Sequence, residues 1–166
     1  MKNKEAWEKL LDVLSRQRAE YGQFVDLLKK KEQLIIDGKA KELEKLVKEE
    51  NKKVDGIEKL EEERLSVANE FAGEDGKTPS LMELLERAPK EMREPIEKEA
   101  MSLMETLNQI AALNRSNAEL IQTSMEYIKY NINLLATSGA KEGIYEIDGK
   151  MRSAEKKLSG FLNRQV

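Results

Sequence analysis

The residues best equipped by type to do chemistry in this chain are its carboxylates, because it contains no histidine and no cysteine. That absence removes imidazole acid–base catalysis, thiol nucleophiles, disulfides and histidine-based metal sites together. The densest acidic run is Glu61, Glu62 and Glu63. Consecutive residues splay around a helix, so these three cannot converge on one metal ion. The remaining acids alternate with Lys and Arg, which describes solvated helix faces rather than a pair of catalytic acids. No GxxxxGKS or GxxxxGKT phosphate cradle, GxGxxG or GxSxG occurs. The chain is expected to be no enzyme and to use no metal or cofactor.

What remains is binding, and the elements that could position a binding face are helices. Charged residues make up 37% of the 166 and aromatics 5%, a composition of long helices and coiled coils. With 32 acids against 29 bases, the net charge of −3 offers no basic footprint for nucleic acid and no attraction to anionic lipid. No apolar run reaches the roughly 18 residues needed to cross a bilayer. The opening MKNKEAWEKLLDVL is broken by Lys4, Glu5, Glu8 and Lys9, unlike a signal peptide. The expectation is a cytoplasmic protein of one domain, or one domain with an appendage.

Apolar residues at three- and four-residue steps predict a first helix over about 3–36, through Trp7, Leu10, Leu14, Tyr21, Val25, Leu28 and Leu34. Asp37-Gly38 stops it, and a second helix over about 39–72 follows so closely that the two must form an antiparallel hairpin. Gly56 interrupts this second helix, either as a local flaw or to admit a neighbouring helix. A loop at 73–80 precedes Ser80 and Glu83, a capping-box pair that predicts a short helix over 81–88. Pro89 ends that helix, and Pro95 is tolerable within the first turn of the next. The last long helix is expected over about 91–137. The fold class is thus all-α: an elongated antiparallel helical bundle of three long helices and one short one over residues 1–137. A flexible tail, 138–166, carries a short amphipathic helix at 150–163.

The long last helix is unusual in what its polar positions are made of. Between Leu107 and Leu135 only Arg115, Glu119, Glu126 and Lys129 are charged, whereas 17 of the 26 residues from Lys39 to Arg64 are. A neutral polar face loses less on being covered than a charged one does. Two readings of Asn114, Asn117, Ser124 and Asn131 stay open: buried polar positions that set register, as an Asn does in a coiled coil, or a face for a partner's helix. Met125, Tyr127, Ile128, Tyr130, Ile132, Leu134 and Leu135 spread apolar atoms over more than one side of the helix end, which favours a partner. The best-placed partner face is Leu120, Ile121, Met125, Ile128, Ile132 and Leu135, with the earlier asparagines, Asn108 to Asn117, holding register.

Three glycines between Ser138 and Gly149 end helical structure, and the helix beyond is too short to be stable alone. It is a frayed terminus or a segment that orders on a partner. In the second case Leu158, Phe161 and Leu162 would close over whatever lies on the long helix.

The segment LNQIAALNRSNAELIQTSMEYIKYNINLL resembles the long helix of the FlgN family of flagellar type III export chaperones, through its Leu-Asn, Asn-x-x-Leu-Ile, Tyr-Ile and Asn-Leu-Leu steps. The opening hairpin and the Leu-Met-Glu-Leu-Leu short helix are similar too. In the tail, Tyr145 and Gly149 match the family's Tyr-x-x-x-Gly, and Phe161-Leu-Asn-Arg-Gln165 resembles its ending. Asn163 stands where Asp is common, and Glu146 where some members have Gly. The resemblance implies a non-catalytic, ATP-independent cytoplasmic chaperone. Such proteins hold the hook–filament junction proteins FlgK and FlgL by their C-terminal helices and deliver them to the export gate. The tyrosine matched by Tyr145, with Gly149 after it, would contact the gate protein FlhA. The alternative is a structural coiled-coil homodimer with no cargo.

Overall fold

Leu34 and Ile35 end the first helix in a pattern that only the next residues make possible. In the computed structural model, which describes residues 2–74 and 76–137, α1 runs Lys2–Ile36. Gly38 takes φ +67°. The Gly38 N–H then donates to the Ile35 carbonyl at 3.1 Å and the Lys39 N–H to that of Leu34 at 3.0 Å. This is the paired arrangement by which a left-handed glycine satisfies the last carbonyls of a helix. The chain reverses there and enters α2, Ala40–Asn69. A short α3, Leu81–Arg87, and a long α4, Lys90–Thr137, follow. The fold is all-α, with no strand among the described residues.

The end of α2 and the start of α4 depart from the periodicity. α2 stops three residues before Ala72, because the N–H groups of Glu70, Phe71 and Ala72 each donate to the residue three back, at 3.0–3.1 Å. This tighter winding sets the Phe71 ring against Trp7, with centroids 4.3 Å apart. α4 starts at Lys90, the Pro89 carbonyl accepting from the N–H groups of Met92 and Arg93 at 2.9 Å each. Pro95 therefore lies in the second turn and not the first. Lacking an N–H, it leaves the Glu91 carbonyl without its helical donor. The cap of α3 is as the sequence predicts. Ser80 Oγ accepts from the Glu83 N–H at 3.3 Å, and a Glu83 carboxylate oxygen accepts from the Ser80 N–H at 2.7 Å. That last contact holds the Glu83 carboxyl below its usual range. Ala88, ahead of Pro89, is extended, as a residue before proline prefers.

The residues group into two compact units, 1–115 and 116–166. In the first, Trp7, Leu10, Val13 and Leu14 of α1 form one core with Val67 and Ala68 of α2, Leu84 of α3, and Ile96 and Leu103 of α4. Polar pairs lace α1 to α2 in antiparallel order: Lys9 with Glu70, Arg16 with Glu63, Gln17 with Glu61, Glu20 with Lys53, and Lys31 with Glu50. Arg18 joins α1 to α4 through Glu99 at 2.6 Å. In the second unit the described residues are 116–137, the remainder of α4.

Gly56 meets nothing within 4 Å of where a Cβ would stand, so no helix approaches there and the residue is a local flaw. Gly56→Ala should raise stability by about 0.5–1 kcal/mol through helix propensity alone. A higher urea midpoint at an unchanged denaturant slope is the expected readout.

Candidate functional site

Large apolar side chains left exposed are the strongest marks of a binding surface on a chain without catalytic groups. Among the described residues they fall into two sets, with Ile36 apart from both. One set, Tyr127, Ile128, Tyr130, Leu134 and Leu135, lies at the end of α4; the other, Leu65, Met82, Met101, Met104 and Leu107, lies in the first unit.

At about 100° per residue, Ile121, Met125, Ile128, Ile132 and Leu135 share one sector of α4. They continue at three- and four-residue steps the stripe that starts with Ile96 and Leu103. Exposure along that sector is least at Ile121 and greatest at Leu135. Ile121 is only 7% exposed, Ile128 45% and Leu135 52%, with Met125 and Ile132 between these classes. Leu120, also half-buried, lies beside the stripe. Ile121 is thus already covered in the free chain, while Ile128 and Leu135 present open apolar surface. Tyr127, Tyr130 and Leu134 occupy a second sector roughly 150° away by the same helical step. Residues Tyr145, Gly149, Leu158, Phe161 and Leu162 lie outside the described residues.

The asparagines divide. Asn108 is exposed, Asn114 half-buried and Asn117 buried. Asn114 Oδ1 is enclosed with no hydrogen-bond partner among the described residues. Ser124 is exposed and Asn131 half-buried.

The second set surrounds a groove of about 1180 Å³ in the first unit, walled by α2, α3 and the first half of α4 over a floor that includes Leu14, Gln17 and Tyr21. Gln17 Nε2 donates to Glu61 at 2.8 Å, and Arg64 grips the same carboxylate with two bonds of 2.7 and 2.8 Å. The Arg64 fork holds Glu61 below the usual carboxylate range, and burial raises the Tyr21 hydroxyl. Sequence periodicity passed over this groove, although a signal was present: Met101 and Met104 lie off the Ile96–Leu103 stripe and on the same side as each other.

No group of three or more carboxylates gathers into a metal site among the described residues. Nor is any helix among them long and apolar enough to cross a membrane. What α4 can do is offer apolar surface at helical spacing, and a family model described as "FlgN protein" matches residues 1–153. The chain belongs to the FlgN family. That family is one of flagellar export chaperones, which bind flagellar export substrates and are not enzymes. The FlgN match spans all the described residues, takes in Tyr145 and Gly149, and stops short of Leu158, Phe161 and Leu162. Neither a curated protein nor a solved structure matches the chain.

Proposed function

We propose that this FlgN-family protein is a cytoplasmic, non-enzymatic chaperone for the hook–filament junction proteins FlgK and FlgL. It would bind their amphipathic C-terminal helix along Leu120, Met125, Ile128, Ile132 and Leu135, and hand the cargo to the export gate protein FlhA. The observation that carries the reading is the open apolar surface at the end of α4, Ile128 and Leu135 on one sector and Tyr127 and Tyr130 on another. An amphipathic helix laid along such a stripe buries its own apolar face without drawing charge out of water. Leu158, Phe161 and Leu162 would close over the cargo, and Tyr145 with Gly149 would dock on the gate.

Deleting residues 150–166 should weaken calorimetric binding of the FlgK C-terminal segment by about tenfold or more, the loss expected when several apolar side chains leave an interface. Unchanged affinity would take the tail out of the cargo site. Tyr145→Ala should spare cargo binding and weaken capture by FlhA; the reverse pattern would sink that division of labour. A tight dimer that persists on dilution in sedimentation, with no affinity for FlgK or FlgL, would favour the structural homodimer instead.

A further inference from the structure

The groove in the first unit shares no residue with the proposed cargo surface and does not depend on it. Its α4 wall includes Arg93, Glu97, Ala100, Met101, Met104 and Leu107, spaced at three and four residues or adjacent. The groove therefore follows the helix for roughly 20 Å, the length of three to four turns of a partner helix. Leu65 of α2 and Met82 of α3 face the same concavity, and both are exposed. Three of the five exposed apolar side chains around it are methionines, whose flexible thioethers fit varied apolar partners.

Charge narrows the occupant. The lining holds four carboxylates, Glu61, Glu83, Glu86 and Glu97, against the guanidiniums of Arg64 and Arg93. Arg64 is engaged within the chain by Glu61 and Glu83 by the Ser80 N–H, which leaves Glu86 and Glu97 facing incoming ligands, with Arg93 the remaining cation of the lining. We propose that this groove is a docking site for an amphipathic partner helix whose apolar stripe is flanked by lysine and arginine. A second copy offering its own α4 end does not fit: that segment has Glu119, Glu126 and Lys129 and so no excess of cations. An anionic lipid surface would be repelled by the carboxylates.

The test uses the full chain and two synthetic 18-residue helical peptides with the same leucine stripe, one flanked by Lys and Arg and one by Glu. Fluorescence anisotropy should show the basic peptide binding at least about tenfold more tightly, with affinity falling as salt is raised. Met104→Lys should weaken it about tenfold or more and Glu97→Lys severalfold, while Ile128→Asp, which alters only the proposed cargo surface, should cost the basic peptide less than Met104→Lys does. Both groove positions are surface side chains, and an unchanged thermal midpoint will show that the variants fold. Equal binding of the two peptides would overturn the proposal, as would no binding of either at millimolar concentration. So would loss on Ile128→Asp with Met104→Lys harmless. Self-association of the protein that Met104→Lys abolishes would assign the groove to a second copy and likewise overturn it.

Discussion

Glu50→Leu should destabilise the protein by about 3–5 kcal/mol, the loss expected when one partner of a buried ion pair is removed. The Glu50 side chain is 1% exposed and that of Lys31 4%, with the ammonium 3.0 and 3.1 Å from the two carboxylate oxygens. Leucine would leave the Lys31 ammonium enclosed without its anion. Burial already holds Lys31 below the ordinary lysine range, with Glu50 opposing that shift. In the variant the opposition is gone, so the folded pKa falls further. Between that lowered value and the ordinary lysine value the unfolded chain binds more protons than the folded one. Stability therefore rises with pH across this window, and the penalty should shrink as the solution becomes alkaline. Lys31→Met with Glu50→Leu should recover most of the loss, because apolar groups of similar volume then replace both charges. Urea unfolding followed by circular dichroism measures all three. A single-variant loss below about 1 kcal/mol would mean that water reaches the pair as it does on a surface.

Placing charge on the open sector of α4, by Ile128→Asp with Leu135→Asp, should weaken FlgK or FlgL binding about a hundredfold, or roughly 2.7 kcal/mol. A carboxylate covered by an apolar partner helix has no compensating donor. Both positions are about half exposed, so the thermal midpoint should hardly move. That contrast distinguishes a lost interface from a lost fold. Met104→Lys, in the groove, should leave cargo affinity as it is. Affinity within threefold of the unmodified chain for the double variant would place the cargo elsewhere.

Much of this was legible along the chain, because local interactions decide it. Gly38 had to stop α1, since glycine reaches positive φ without steric cost. Ser80 and Glu83 announced their own cap. The absence of histidine and cysteine closed off most catalysis, and the sparse charge of the last helix marked it as the element to inspect. The positions that read less well involve residues far apart in sequence. Lys31 follows Leu28 and precedes Ile35 on the apolar face of α1, and Glu50 stands between Leu46 and Val54 on that of α2. Each looks like one more charge in a charge-rich helix until the hairpin sets them against each other. Gln17 and Glu61 are the same case about four turns along α1.

The sequence by itself determined the helices, the turn between α1 and α2, the capping of α3 and the apolar stripe of α4. These rest on backbone conformation and on residues within about five positions of one another. Only the tertiary structure decided which parts of the stripe stay open. Whether Met82, Leu65 and Met101 surround one concavity depends on which distant surfaces come to lie alongside. Periodicity gives a side chain's direction around its helix. Its exposure is set by what the rest of the chain places in that direction.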